Sequence, residues 1–370
     1  MITRVYIDNF RCFANCEVWP KRVNLLIGKN GSGKSSFIEV LHSVIELTIL
    51  GEAVETAFPS STVTRWSRTP KQRIEIDIGG VHGSYHYSLE LSHNLAMDTV
   101  LVERESVKHD SRTIFLFEDG VVHLFKNEGV LGTQFPFRGT RSFLPQLEAR
   151  PENTLLTWFL NSLRRMWLLK LDPSRVESES RSESDSLYSD GSNFASWYRH
   201  LSQERTEDLP RLFKRIGQTL PGFRSLKAVS TGKGGQKREL VVAFGFGKPE
   251  VKYEIDFDEI SDGERATIIL YTILTDVEST PRTLLLDEPE NFVGLQVIQP
   301  WLVELTDAMQ EGAQLFLVSH HPEVIDYLAA DYPLLFERPD GGPTRVRADP
   351  FDRNEGLRAS ELVTRGLLDG

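Results

Sequence analysis

Residues 28–35 read Gly28-Lys29-Asn30-Gly31-Ser32-Gly33-Lys34-Ser35, and this stretch decides the fold. It matches the phosphate-binding pattern G-x-x-x-x-G-K-[ST] at every fixed position. The apolar run Val23 to Ile27 before it predicts a buried strand, and the run Ser36 to Leu41 after it predicts a helix. A strand, a glycine-rich loop and a helix in this order point backbone N–H groups and a helix N-terminus at one anion. The alternative, a glycine-rich turn without chemical use, is disfavoured by these flanks.

Each position of this loop has an expected task at a triphosphate. Lys34 would reach the β- and γ-phosphates, and the hydroxyl of Ser35 would hold Mg²⁺. The backbone N–H groups of the loop and of the first helical turn would bind the phosphate oxygens. The residues expected to bind nucleotide here are Asn30, Gly31, Ser32, Gly33, Lys34, Ser35 and Ser36.

The composition fits an intracellular globular protein. The chain has 370 residues, a formal net charge of −11 and two cysteines. The acidic balance argues against a surface that attracts nucleic acid everywhere, so DNA would need a local basic patch or a partner. Two cysteines close together, Cys12 and Cys16, are typical of reduced thiols. No apolar run reaches the roughly 18 residues of a membrane span, and we expect a cytoplasmic protein.

The pattern along the chain changes three times. From Gln72 to Phe125 apolar residues alternate, with a hairpin signal at Glu118-Asp119-Gly120, which predicts an antiparallel sheet. From Asn153 to Leu220 the spacing is helical, interrupted at 177–186 by a run without apolar residues that predicts a mobile surface loop. Strands are predicted again at Glu239–Phe244 and Tyr253–Phe257. The last third alternates helix and strand, which favours an α/β fold with a parallel sheet.

Three later motifs carry further chemistry. An apolar strand from Thr283 ends in Asp287, placed to hold Mg²⁺, and Glu288, placed to act as a general base. Ser261 and Gly263 begin an apolar helix, where a hydroxyl and N–H groups can meet an anion. His320 ends the next strand, where an imidazole can contact a phosphate or water. Taken alone, each motif has a purely structural interpretation, as a strand end, a helix cap and a surface histidine respectively. Their order along the chain after the phosphate loop favours a role in nucleotide chemistry instead.

Together these motifs resemble the ABC-type ATPases of the SMC, RecF and OLD group. The resemblance covers nearly the whole chain and includes the opening Asn9-Phe10-Arg11-Cys12-Phe13. It implies a P-loop NTPase fold with an antiparallel β lobe and an inserted helical lobe. The implied regions are a nucleotide-binding core at 1–50 and 239–345, a β lobe at 51–135, a helical and signature lobe at 136–238, and a C-terminal tail at 346–370.

The resemblance also implies a role for single residues. Ser261 and Gly263 would contact the γ-phosphate bound by a partner subunit. Asp287 would bind the magnesium ion, Glu288 would be the catalytic carboxylate, and His320, rather than His321, would be the switch histidine.

Two further assignments concern the nucleotide and the metal. Arg11 would help to contact the nucleotide, and Gln146 is the candidate for a magnesium-sensing glutamine. After Glu290 the sequence departs from the family pattern, reading Asn291-Phe292-Val293-Gly294-Leu295, so the segment that faces a partner is altered.

The implied cofactors are ATP and Mg²⁺, and the implied assembly is a homodimer closed around two ATP molecules. Because the motifs indicate an ATPase and no effector domain, we expect the protein to control a separate effector, a nuclease or toxin, in anti-phage defence. The alternative is a RecF-like DNA-repair clamp that binds DNA directly. The cations available for such a clamp are Arg164, Arg165 and Lys170, or Lys233, Lys237 and Arg238.

Overall fold

The computed structural model describes residues 1–67, 69–80, 82–231, 236–309, 312–348, 350–351 and 358–365. The chain divides into two compact units, one of Met1–Met166 with Ile325–Gly370 and one of Trp167–Val324. No helix in the described ranges is long and apolar enough to cross a bilayer.

The first unit contains an eight-stranded antiparallel sheet. Its spatial order is β2-β1-β4-β5-β6-β7-β8-β9. The strands are β1 (Ile2–Asp8), β2 (Cys16–Val18), β4 (Lys71–Gly80), β5 (Gly83–Asn94), β6 (Thr99–His109), β7 (Arg112–Glu118), β8 (Val121–Phe125) and β9 (Leu131–Pro136).

The predicted antiparallel sheet and its hairpin are confirmed. Glu118 pairs with Val121, and the two residues between them, Asp119 and Gly120, both have positive φ, as a two-residue hairpin turn requires. The sheet is larger than the sequence predicts, because β1 pairs with β4 from Arg4↔Asp77 to Asp8↔Arg73. Strand β1 is therefore part of this antiparallel sheet.

The first unit also carries the strand and helix that flank the phosphate loop. β3 (Val23–Ile27) is buried at every position and pairs in parallel with β17 (Pro333–Glu337), which pairs antiparallel with β18 (Arg345–Ala348). α1 (Lys34–Ile45) follows the loop and continues as a π-helical turn, Glu46–Leu50. The other helices of the unit are α2 (Val54–Ala57), α3 (Thr154–Arg164) and α9 (Ala359–Arg365).

The second unit combines parallel strands with an antiparallel sheet. β15 (Thr283–Asp287) and β16 (Gln314–Val318) are parallel, as predicted. β10 (Met166–Leu169) lies beside β15. The boundary between the two units follows Met166, the first residue of β10. The other strands are β11 (Glu179–Ser180), β12 (Phe223–Thr231), β13 (Lys237–Phe246) and β14 (Val251–Asp256). The helices are α4 (Phe194–Glu204), α5 (Leu209–Thr219), α6 (Asp262–Ser279), α7 (Leu295–Ala308) and α8 (Pro322–Leu328), within which the chain returns to the first unit.

Two predictions for this region are wrong in part. The helical spacing from Asn153 to Leu220 conceals β10, whose residues Met166, Trp167 and Leu169 are buried. The predicted surface loop at 177–186 contains β11, which pairs with β13, and Ser180 is 3% exposed. A run without apolar residues was therefore ordered by backbone pairing, which composition does not reveal.

Helix α6 forms the centre of the second unit because it is buried on all sides. Every residue from Ala266 to Val277 is buried, as expected for a helix without a solvent face. The hydroxyls of Thr267, Thr272 and Thr275 donate to the carbonyl oxygens four residues earlier, so these buried polar groups are satisfied.

Candidate functional site

The phosphate loop is held in a conformation that only glycine tolerates at two of its positions. Gly28 has φ 141°, and a Cβ there would lie 2.2 Å from the carbonyl oxygen of Phe336. Gly33 has φ 111°, and a Cβ there would lie 2.9 Å from Cys12 Sγ. The backbone of the loop therefore packs directly against its neighbours, which fixes the direction of its N–H groups.

The side chain of Lys34 folds back over this loop. Its Nζ donates to the carbonyl oxygens of Gly28, at 2.7 Å, and Lys29, at 3.2 Å, and the residue is 5% exposed. The ammonium group is thus held inside the curve of the loop, beside the N–H groups that would receive a phosphate. Ser35, the next residue, is exposed at the start of α1.

Two features of the loop fit an anionic ligand. α1 has no side-chain cap and no acidic residue in its first turn, so its N-terminus keeps its partial positive charge. Within the described part of the chain, the buried hydroxyl of Ser32 has no hydrogen-bond partner. A phosphate oxygen could accept a hydrogen bond from the Ser32 hydroxyl and would also be attracted to the N-terminus of α1.

A pocket of about 660 Å³ lies beside the loop and extends along the end of β17. Arg338 lines it and donates to the carbonyl oxygens of Gly342, at 2.9 Å, and Gly341, at 2.8 Å, while its guanidinium lies 5.5 Å from the ring centroid of Trp66. Sequence reasoning missed Arg338, because the chain carries no local motif around it. The pocket is lined by residues 28–32, residues 335–341 and Val363.

Arg11 and Gln146, which were predicted to contact the nucleotide and the metal, have these protein neighbours in the structure. The guanidinium of Arg11 pairs with the carboxylate of Glu39 on α1, with Nε to Oε2 at 2.7 Å, and this bond raises the pKa of Arg11. Gln146 is exposed and lines a pocket of about 410 Å³ with residues of β8 and β9. Gln146 is not among the residues that line the pocket beside the phosphate loop.

The acidic strand of the second unit ends in an ordered cluster. Glu288 has φ 51°, a left-handed conformation that a glutamate rarely adopts. Its Oε1 lies 3.5 Å from His320 Nε2, and its Oε2 accepts a hydrogen bond from Asn291 Nδ2 at 2.9 Å. Both oxygens of the carboxylate are therefore oriented by neighbours. Asn291 was not assigned this role from the sequence, although it lies only three residues after Glu288.

His320 and His321 have different surroundings. His320 faces Glu288 and its side chain is 44% exposed. The Nδ1 atom of His321 accepts a hydrogen bond from the N–H of Glu323 at 3.2 Å, so this ring caps the start of α8. The buried hydroxyl of Ser319 donates to the carboxylate of Glu290. This hydrogen bond holds the end of β16, directly before the two histidines.

Asp287 has a partner that the sequence did not indicate. Lys170, the residue after β10, donates from Nζ to Asp287 Oδ2 at 2.9 Å. The side chain of Asp287 is 12% exposed and that of Lys170 is 66% exposed.

Ser261 and Gly263 begin α6 in a capping box. The Ser261 hydroxyl accepts from the N–H of Glu264 at 3.3 Å, and the Glu264 carboxylate accepts from the N–H of Ser261 at 2.9 Å. A Cβ on Gly263 would lie 3.1 Å from the carbonyl oxygen of Phe292, so glycine allows the segment after Glu288 to pack against the helix start.

The cations considered for DNA contact are partly neutralised within the protein. Lys170 pairs with Asp287, and Lys237 pairs with Glu179 and Glu239. Arg238 donates to the carbonyl oxygen of Ala228 at 3.1 Å, and Arg164 donates to Asn161 Oδ1 at 2.9 Å. Lys233 lies outside the described residues, and Arg165 is exposed.

Comparison with known families and structures is consistent with this geometry. The family model described as "AAA ATPase domain" matches residues 1–229, and the model described as "AAA domain, putative AbiEii toxin, Type IV TA system" matches residues 160–326. No curated protein sequence matches the chain.

Solved structures of similar fold include two SMC heads. One is an Smc head bound to the C-winged helix domain of ScpA, with a TM-score of 0.57, 13% identity, and coverage of 94% of this chain and 96% of that chain. Another, derived from Pyrococcus furiosus, is an Smc head domain with an extended coiled coil bound to the C-terminal domain of ScpA, with a TM-score of 0.52, 11% identity, and coverage of 99% and 98%. The predicted fold class, a P-loop ATPase head of mixed α/β structure with an antiparallel sheet, is confirmed.

Proposed function

The chain belongs to the AAA ATPase domain family, and from this premise we propose that it binds ATP with Mg²⁺, hydrolyses the ATP, and works as a homodimer closed around the nucleotide. The arrangement of Glu288 carries the hydrolytic part of this proposal. A carboxylate at the end of a buried strand, with one oxygen facing an imidazole and the other held by an amide, supports the role of a general base.

The residues of the phosphate loop fit the triphosphate. Its backbone N–H groups and Lys34 would bind the β- and γ-phosphates, and the unpartnered hydroxyl of Ser32 would gain an acceptor. The oxygens of Ser35 and Asp287 are hard ligands of the kind that Mg²⁺ prefers. Mg²⁺ bound with the nucleotide would neutralise phosphate charge.

In hydrolysis, Glu288 would take the proton of the attacking water. Asn291 would keep the carboxylate oriented, and His320, 3.5 Å from it, would hold the water or a phosphate oxygen. A general base of this kind contributes about 10² to 10⁴ in rate.

The dimer is supported by the surface around the start of α6. Ser261 is exposed, and among the described residues its hydroxyl is bonded only within its own capping box, to Glu264. Exposed apolar side chains lie on the segment that packs near Gly263, with Phe292 39% and Leu295 41% exposed. A second copy would cover these side chains and place Ser261 against its nucleotide.

The test is the variant Glu288→Gln, with Glu207→Gln as a matched control, since Glu207 is an exposed acid of the same unit. We expect the first to lose turnover by about 100-fold or more and to accumulate an ATP-bound dimer, measured by phosphate release and by light scattering after gel filtration. The control should behave as wild type. Wild-type turnover and wild-type ATP-induced dimerisation in Glu288→Gln would reject the assignment.

For the cellular role, we propose control of a separate effector protein, a nuclease or toxin, in defence against phage. The description of the family model that matches residues 160–326 names a toxin–antitoxin system, which supports a role in defence. Both SMC heads of similar fold are bound to a separate protein, ScpA, which supports control of a partner protein. Pull-downs from the native host with ATP, with ADP and without nucleotide would test it. Recovery of the ATPase alone in all three states would contradict it.

A further inference from the structure

The contact between Lys170 and Asp287 lies where the proposed function requires a metal ion. Nζ of Lys170 lies 2.9 Å from Oδ2 of Asp287, a carboxylate whose side chain is 12% exposed. Sequence reasoning assigned Asp287 to Mg²⁺ and considered Lys170 only as a contact for DNA. The structure instead directs this ammonium group at the carboxylate expected to bind the metal.

An ammonium group and Mg²⁺ compete for such a carboxylate. Mg²⁺ requires close oxygen ligands, at about 2.0 to 2.1 Å, in octahedral geometry. A lysine ammonium on the same oxygen would lie within a few ångströms of the ion, and the two positive charges repel each other.

Lys170 is able to leave when the ion arrives. Its side chain is 66% exposed, so the displaced ammonium would enter water. Lysine is also a compact charge on a flexible stem, without the two-pronged grip that arginine has on a carboxylate. Its backbone, in contrast, is fixed, because its N–H donates to the carbonyl oxygen of Ser189 at 2.7 Å. Only the side chain needs to move.

We propose that Lys170 competes with Mg²⁺ for the carboxylate of Asp287 and thereby sets the Mg²⁺ concentration at which the protein binds nucleotide. This inference rests on the proposed function, in which Asp287 is a ligand of the metal. Lys170 is a positioning residue in this account, since it acts through Asp287.

The segment after Lys170 extends this contact toward the start of α6. Asp172 donates its N–H to the carbonyl oxygen of Asp190 at 3.0 Å, and Pro173 accepts a hydrogen bond from Arg265 at 3.3 Å. Arg265 lies on α6, four residues after Ser261, and its N–H donates to the carbonyl oxygen of Ser261 at 3.0 Å. The Lys170 side chain, the chain from Lys170 to Pro173 and the hydrogen bond from Arg265 thus connect Asp287 to α6. The first turn of α6 is the part that would meet a second copy.

The experiment measures binding of a fluorescent ATP analogue, by anisotropy, over a series of free Mg²⁺ concentrations. Lys170→Met should lower the Mg²⁺ midpoint by about two- to fivefold, the range expected for removal of a partly exposed ion pair. Lys170→Arg should raise the midpoint, because the bidentate guanidinium is harder to displace. Lys227→Met, which removes an exposed pair with Glu254, is the matched control and should leave the midpoint unchanged.

The outcomes separate this inference from the proposed function. If the wild-type protein binds no nucleotide at any Mg²⁺ concentration, the proposed function itself fails. If all four proteins bind nucleotide with the same midpoint, only the competition is refuted. Weaker nucleotide binding by Lys170→Met at saturating Mg²⁺ would also refute it, because Lys170 would then be a ligand of the nucleotide.

Discussion

A buried glutamate in the antiparallel sheet should make the stability of this protein depend on pH. Glu105 is 1% exposed on β6, and its carboxylate accepts hydrogen bonds from Ser142 Oγ, at 2.8 and 3.0 Å, and from Tyr87 Oη, at 3.0 Å. Burial raises the pKa of Glu105 from 4.5 to about 7, and the hydrogen bonds from Ser142 and Tyr87 oppose this rise.

The sign and the size of the effect follow from this pKa. Between pH 4.5 and about 7 the folded state holds a proton on Glu105 that the unfolded state has lost. The free energy of unfolding therefore falls as the pH rises through this window. At 1.36 kcal/mol per pKa unit, a rise from 4.5 to about 7 corresponds to at most about 3 kcal/mol.

The substitution Glu105→Gln should abolish this loss. A glutamine resembles the protonated acid, because its oxygen can accept from Tyr87 and its NH₂ group can donate to Ser142. We expect the variant to gain up to about 3 kcal/mol over the wild type between about pH 5 and about pH 8. Urea unfolding followed by circular dichroism at several pH values measures this difference.

The control for this prediction lies on the same strand. Glu103 is exposed and pairs with Lys71, so Glu103→Gln should leave the pH dependence as it is in the wild type. If Glu105→Gln and the wild type lose stability in parallel over this pH range, the carboxyl of Glu105 does not titrate there and the reasoning is refuted.

Two further substitutions test the packing that supports the site. Gly28→Ala should destabilise the protein by about 2 to 4 kcal/mol, because a Cβ at φ 141° would lie 2.2 Å from the carbonyl oxygen of Phe336, and it should also weaken nucleotide binding. Asp276→Ala should cost about 3 to 5 kcal/mol, because the side chain of Asp276 is fully buried and pairs with Arg205 at 2.8 Å and Arg282 at 2.5 Å. Thermal and urea unfolding measure both.

Each of these variants has a matched comparison. Gly31→Ala places a Cβ in open space, so it carries the cost of positive φ without a clash and should be milder than Gly28→Ala. Glu254→Ala removes an exposed ion pair with Lys227 and should change stability by less than about 1 kcal/mol. Equal losses of stability in Gly28→Ala and Gly31→Ala, or in Asp276→Ala and Glu254→Ala, would contradict the packing argument.

Local sequence was enough to predict the phosphate loop and the main elements around it. The fixed residues of the loop, the apolar strand before Asp287 and the serine that caps α6 each belong to a continuous segment, and backbone geometry within such a segment follows from its own residues. The same reasoning failed at Met166–Leu169, where a four-residue strand was concealed between helical segments. A short apolar run has no period of its own, and its neighbour β15 decides its conformation.

The roles of single charges depended on the tertiary structure. The sequence alone predicted that an aspartate and a glutamate stand at the end of a strand, and that the chain carries a phosphate-binding loop. It did not show that Lys170 meets Asp287, since 117 residues separate them and only the placement of β10 beside β15 brings them together. Spacing along a chain fixes which groups share a strand or a helix face, whereas the order of strands in a sheet fixes which charges become partners.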